Sequence, residues 1–536
     1  MPAPFALLKN PRLSVSPPLP YCTFMDRHAA IMAIDQGTTS SRALVFAHDG
    51  RILGSAQEPF PQHFPQPGWV EHDPEDIWAT QLRCCRSALE AGGLCAGDLA
   101  AIGIANQRET VLLWDAETGA SLGNAIVWQC RRTAQRCATL EAAGHGPRVA
   151  ELTGLRLDPY FSATKLEWLL QNRPGAADLL RRGRLRAGTI DSFLAWRLTG
   201  GREHVTDCSN ASRTMLLDLR RLEWADELLE MFGVPRAVLP QLCPSSGVVA
   251  ATDPGVFGTA VPIAGIAGDQ QAALFGQGAL EAGGSKNTYG TGCFLLVNTG
   301  DTPVPPADGL LSTVGWVLQA AAAPRPGEAG AAAPPRQVRY ALEGSVFTAG
   351  AAVQWLRDGL GIIGEAAEIG PLAAQVPDSD DVYFVPALSG LGAPYWDPHA
   401  RGTLVGLTRG TTRAHIARAA EEAICFQTAA VLDAMARTAG VAIDSLRVDG
   451  GAVGDDFLLQ LQADLTGLPI VRPRIRETTA LGAAALAGLA VGFWSAGEMA
   501  ALAGVDRVFE PRMSEDERAA RRARWEQAVE RARGWA

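Results

Sequence analysis

Short apolar runs that end in polar, glycine-containing turns recur along this chain. Ile31-Met32-Ala33-Ile34 leads into Asp35-Gln36-Gly37-Thr38-Thr39-Ser40-Ser41-Arg42, and a second apolar run, Ala43-Leu44-Val45-Phe46, follows. Strand, polar turn and strand predict a hairpin, after which His48-Asp49-Gly50 turns the chain again. Helical spacing over Ile77 to Leu89 follows the start signal Asp73-Pro74. Ile102 to Ala105 returns to a strand and ends in Asn106-Gln107-Arg108-Glu109-Thr110. The same pattern reappears downstream. Val261 to Ala267 reads as a strand ending in Gly268-Asp269-Gln270-Gln271, ahead of an apolar helical stretch. Lys286 to Cys293 forms a second glycine-rich polar turn before the strand Phe294 to Val297, and Leu446-Arg447-Val448 runs into Asp449-Gly450-Gly451. Alternating strands and helices predict an α/β architecture, here with two domains of comparable size joined near residues 272–284.

The chain has 536 residues, 47 % of them hydrophobic and 19 % charged, with a formal net charge of −10. That length accommodates two to four domains at roughly 100–200 residues each. The acidic balance argues against a general nucleic-acid binder, because no broad cationic face is available for phosphates. All but three of the 47 basic residues are arginine, the exceptions being Lys9, Lys165 and Lys286, and this scarcity argues against lysine-based mechanisms. Ten scattered cysteines form neither a C-x-x-C pair nor a zinc spacing, which fits reduced thiols in a cytoplasmic protein. Pro11, Pro17, Pro18 and Pro20 break any signal-peptide core, so the first two dozen residues read as a disordered extension, with Met25 as a candidate start. Ala480 to Gly497 carries no charge, but its alanine and glycine content favours a tightly packed buried helix over a membrane span. Ala320 to Pro335 reads as a surface insertion, and the last thirty residues as an exposed terminal helix.

The polar turns are the candidate chemistry. In Asp35 to Ser40, glycine permits close backbone approach while amides and hydroxyls suit phosphate oxygens. A carboxylate at the strand end, Asp35, suits Mg²⁺. Thr288 to Gly292 offers a companion hairpin, so that two hairpins grip a triphosphate from both sides, and Gly450-Gly451 offers a third close approach near the adenosine end. Asp269, just past an apolar strand, stands where ligands gather in open α/β sheets. Neither a P-loop nor a G-x-S-x-G or H-E-x-x-H motif occurs. The G-x-G-x-x-G at Gly359, Gly361 and Gly364 follows a helix-like stretch and reads as a helix C-terminal turn.

On these residues the chain resembles the FGGY carbohydrate kinases of the actin-like ATPase superfamily. Ala33 to Arg42 is similar to the family's first phosphate motif, and Tyr160-Phe161-Ser162-Ala163-Thr164-Lys165-Leu166-Glu167-Trp168-Leu169 to its signature. Further matching runs are Gly68 to Pro74, Asn106 to Thr110, Ala125 to Arg132, Gly265 to Gly276, Asn287 to Phe294 and Gly390 to Pro398. The likeness runs nearly continuously from about residue 31 to 510 and is strongest to the members that phosphorylate glycerol. It implies two RNase H-like domains with the active site in the cleft between them. The expected division is an extension over 1–28, an N-terminal domain over 29–277 and a C-terminal domain over 278–536 with an insertion at about 320–336. It implies transfer of the γ-phosphoryl group of ATP, with Mg²⁺, to glycerol in glycerol catabolism; the alternatives are another polyol or ketose, or a non-kinase actin-like ATPase. The implied glycerol contacts are Arg108, Glu109, Trp128, Tyr160, Asp269, Gln270 and Phe294, with Asp269 as catalytic base. The implied ATP contacts are Thr38, Thr39, Ser40, Arg42, Thr291, Gly350, Gln354, Gly451 and Asp455, with Asp35 toward the metal. Asp455 departs from the asparagine of some members. Glycerol and ATP are the expected partners, with no nucleic acid, no membrane span and a homo-oligomer among the expectations. The reading requires the Asp269 carboxylate to lie close to the Arg108 side chain.

Overall fold

The structure is a computed structural model and describes residues 30–319 and 336–536. The predicted N-terminal extension and the Ala320 to Pro335 insertion therefore fall outside the described residues. One mixed sheet of thirteen strands runs through the molecule. Its strands are β1 (Ala30–Gln36), β2 (Ser40–Ala47), β3 (Ile52–Pro59), β4 (Leu99–Asn106), β5 (Ser246–Ala251), β6 (Pro262–Gly268), β7 (Ser285–Tyr289), β8 (Cys293–Gly300), β9 (Leu311–Gln319), β10 (Arg336–Val346), β11 (Leu446–Gly450), β12 (Ile470–Pro473) and β13 (Val505–Phe509). Their order is β13-β12-β11-β7-β8-β10-β9-β5-β6-β4-β1-β2-β3.

The order contains one topology twice. An antiparallel β1-β2-β3 meander is extended in parallel by β4 and β6 and closed by antiparallel β5. The β7-β8-β10 meander is extended by β11 and β12 and closed by β13. This is the predicted two-domain α/β fold, and β9 joins the two units by pairing with both β10 and β5. The hairpin turns sit where the glycine-rich tracts place them, with Gln36 opposite Ser41 and Tyr289 opposite Cys293. β1 is buried on both faces apart from Asp35, as a central parallel-paired strand should be.

The uncharged run at Ala480 is a helix, Thr478–Ala490, packed on β1, β4 and β6 and on the helix Asp269–Gly276. A Cβ at Gly482 would stand 1.8 Å from the Ala272 carbonyl oxygen, so the two backbones meet with no room for a side chain. Among the described residues no helix is long and apolar enough to cross a membrane. The Gly359 segment closes the helix Gly350–Asp358, as expected. The terminal helix, Glu515–Ala532, is not simply exposed: Trp525, Ala528, Val529 and Ala532 are buried, and Trp525 stacks on Phe426. Its apolar residues are few but fall on one face, and its many charges mask that stripe in the sequence.

Candidate functional site

The ends of β4 and β6 deliver the central charges. Arg108 and Glu109 follow β4, where Glu109 takes a left-handed backbone with φ of 61°. Asp269 follows β6 as the first residue of its helix, with Gly268 as the N-cap, and Asp269 Oδ1 accepts from the Gln270 amide at 2.7 Å. Arg108 Nε lies 3.2 Å from Asp269 Oδ1, and the Asp269 side chain keeps 29 % exposure while Arg108 is buried. Burial pushes the Asp269 carboxyl upward, and the Arg108 and Lys286 cations hold part of that rise back.

An aromatic wall stands beside these charges. Trp128 follows the short strand Ala125–Ile126, Tyr160 precedes the helix Ser162–Asn172, and Phe294 opens β8. The Trp128 ring meets Tyr160 edge-on at 5.5 Å and Phe294 at 6.4 Å. Arg108 Nη2 donates to the Tyr160 hydroxyl at 3.4 Å, and Trp128 Nε1 donates to Thr38 Oγ1 at 3.0 Å. The aromatic wall therefore reaches the first phosphate hairpin directly. Apolar rings flanked by fixed donors and acceptors suit a short polyhydroxylated carbon chain.

Two residues that organise this wall escaped the sequence reading. Glu343, on β10, is fully buried and bridges both Arg108 and Arg213, with Arg213 Nη2 2.8 Å from Glu343 Oε1. Arg213 Nε also donates to Glu109 Oε1 at 2.7 Å. Burial alone would raise the Glu343 pKa, but the two guanidinium groups outweigh it and hold the carboxyl below its ordinary value. Glu109 shifts the other way, because burial there outweighs Arg108 and Arg213. A lone acid inside the apolar run Tyr340 to Val346 was the available signal for Glu343. Nothing local marked Arg213 among the many arginines.

The residues expected on the nucleotide side gather differently. Thr38 and Thr39 lie in the β1–β2 turn and Ser40 opens β2, with Thr39 exposed. Arg42 does not stand free: Nη1 is paired with Glu477 and lies 4.0 Å from Asp35. The second hairpin docks on the start of the helix Gly350–Asp358, since Gly350 donates to the Gly290 carbonyl at 3.0 Å and Ala351 to that of Thr291. Thr291 and Gln354 are exposed. Gly450, at φ of 93°, brings β11 so close that a Cβ would lie 2.2 Å from the Tyr289 carbonyl, whereas Gly451 faces open space. Asp455 is the N-cap of the helix Asp456–Thr466, and its Oδ1 accepts from Phe457 and Leu458. Its cap role accounts for an acid there without a ligand.

Asp35 lies near the C-terminal end of β1 between buried Ile34 and Gln36, and its side chain keeps only slight exposure. Burial drives its pKa to about 6, Arg42 opposes this, and Asp269, Glu477 and Asp449 push it further up. Among the described residues, no group of three or more Asp, Glu, His or Cys side chains forms a metal cage.

Residues 30–276 match the N-terminal domain of the FGGY family of carbohydrate kinases, and residues 285–491 match its C-terminal domain. The chain is 56 % identical over 507 residues to a glycerol kinase of Symbiobacterium thermophilum, covering 94 % of this chain and 99 % of that protein. It is 57 % identical over 506 residues to a glycerol kinase of Aromatoleum aromaticum, covering 94 % and 99 %. A crystal structure of Plasmodium falciparum glycerol kinase with ADP superposes with a TM-score of 0.86 at 34 % identity, covering 94 % of this chain and 98 % of that one.

Proposed function

As this chain belongs to the FGGY family of carbohydrate kinases, we propose that it transfers the γ-phosphoryl group of ATP to glycerol, giving sn-glycerol 3-phosphate and ADP. The observation that carries this reading is the convergence of Arg108, Asp269 and the Trp128–Tyr160–Phe294 wall in a chain so similar to glycerol kinases. Residues 29–277 and 278–536 form the two domains, and glycerol binds where their walls face each other.

Arg108 donates to substrate hydroxyls. Arg213 engages Glu109 Oε1 and leaves Oε2 to accept from a hydroxyl. Trp128 and Phe294 cover the carbon edge. Asp269 orients the terminal hydroxyl and accepts its proton as that oxygen bonds to the γ-phosphorus and the bond from phosphorus to the β,γ-bridging oxygen breaks. Thr38, Thr39, Ser40 and Thr291 donate to the phosphates from the two hairpins. Gly350, Gln354, Gly451 and Asp455 line the adenosine end, and Arg42 reaches the phosphates after parting from Glu477.

Magnesium fits this site. Asp35 offers a hard oxygen in acidic surroundings, and Mg²⁺ commonly uses one or two carboxylates with phosphates and water rather than a protein cage. Asp35 is the residue that would hold it, and the bound ion neutralises phosphate charge. The need for ATP puts the reaction in the cytoplasm.

A coupled assay of ADP release over a panel of polyols tests the reading, comparing the wild type with Asp269→Asn. The wild type is expected to respond to glycerol, and the variant to lose about 10²- to 10⁴-fold in kcat. Near-normal turnover in the variant removes Asp269 as base. ADP release indifferent to glycerol overturns the kinase assignment.

A further inference from the structure

Lysine is nearly absent from this chain, yet Lys165 and Lys286 are both completely buried. Lys286 lies on β7 in the C-terminal half, and its ammonium crosses to the N-terminal half. Nζ donates to Gln270 Oε1 and, at 2.7 Å, to Thr288 Oγ1. Asp449 and Asp269 balance its charge, while burial lowers its pKa to about 8. A compact ammonium fits such a closed slot, whereas a planar guanidinium needs more width.

The contact fixes more than a distance. An ammonium has no acceptor, so the Gln270 amide must turn its oxygen toward Lys286 and its NH₂ group away. Among the described residues, nothing accepts from Gln270 Nε2. Gln270 directly follows Asp269, whose carboxylate takes the Gln270 backbone amide. The clamped side chain thus holds an unused donor next to the proposed base.

We propose that Lys286 is a positioning residue that locks the Gln270 amide with Nε2 turned to the substrate, so that the site requires a hydroxyl acceptor at that point. This rests on the glycerol kinase reading and deepens it by assigning part of the selectivity for a triol. A released amide swings away from the gap left by a missing hydroxyl and finds other partners, so an analogue lacking the hydroxyl meets less penalty. Lysine scarcity argued against lysine-based chemistry, and the part of Lys286, buried and bonded to Gln270 and Thr288, is geometric.

The test measures kcat and KM for glycerol, 1,2-propanediol, 1,3-propanediol and ATP in the wild type, K286M, K286Q and Q270L, and in the K286M/Q270L double variant. K286M is expected to raise the KM for glycerol roughly ten- to hundredfold, the scale of one lost charge-assisted contact, and to leave the KM for ATP within about threefold. The ratio of kcat/KM for glycerol to that for at least one diol should fall about tenfold, a change that simple loosening of the fold does not produce. In the Q270L background the same substitution should change that ratio little, since coupled residues are non-additive. An unchanged selectivity ratio in both K286M and K286Q overturns the proposal, as does a full effect that persists in Q270L. K286Q, near in length and neutral, carries the comparison if K286M melts below the assay temperature. A wild type without glycerol turnover overturns the kinase reading instead, so the two failures are distinguishable.

Discussion

Arg108, Glu109, Tyr160 and Gln270 are fixed by contacts drawn from both halves of the sheet, while Thr39, Thr291, Gln354 and Gly451 stand exposed at turns and on a helix face. The first group is held through side chains, and the second through backbone geometry. A triol offers few atoms for binding, so its donors and acceptors must be oriented before it arrives, which requires buried and mutually satisfied charges. A triphosphate carries its own charge and accepts from many amides and hydroxyls, so turns that stay open are sufficient. The proposed triol site is therefore sensitive to core substitutions and the proposed triphosphate site tolerant of them.

The largest break in this contrast is expected from Glu343→Gln. It strips the counter-charge that two buried arginines share and should cost about 3–5 kcal/mol in urea-unfolding experiments, with glycerol turnover lost alongside. A change below about 1 kcal/mol would show that Arg108 and Arg213 do not depend on that carboxylate.

Acid should separate the two sites next. His72 is fully buried beside Gln107, on the segment that carries Arg108 and Glu109, with Nε2 2.6 Å from Gln62 Oε1. Burial, with His63 nearby, pulls its pKa down from 6.5 to about 4. The unfolded chain then binds a proton that the folded one refuses between pH 6.5 and 4. Stability from this group is complete above that window and declines as pH falls through it, by about 3 kcal/mol in total. His72→Gln should flatten that part of the stability–pH profile measured by chemical denaturation. An unaltered slope would locate the acid sensitivity elsewhere.

The smallest structural effect belongs to the proposed nucleotide side. Gln354→Ala, at an exposed helix position, should shift stability by no more than about 0.5 kcal/mol. It should nevertheless raise the KM for ATP several-fold while the KM for glycerol stays put. Equal changes in both constants would erase the distinction between the two walls.

The hairpins at Gly37 and Gly290, the strand before Asp269 and the packed helix at Ala480 were all legible from local pattern, because each follows from apolar periodicity and turn chemistry within about twenty residues. The terminal helix was read correctly in type but not in burial. Its partner, Phe426, lies about a hundred residues away, and charge density hid the stripe that meets it. Glu343 and Arg213 were not legible as parts of the site, since their partners come from the segment after β4 and from each other across more than a hundred residues.

By itself the sequence determined the elements, the repeated turn chemistry and the family likeness, for these depend on neighbours along the chain. Only the tertiary structure decided that Arg108 reaches Glu343, that Trp128 touches Thr38, and that Lys286 sets the face of Gln270. The physical reason is that ion pairing and amide orientation depend on distances of a few ångströms between segments far apart in sequence. The polypeptide pattern constrains those distances only once both halves of the sheet have packed.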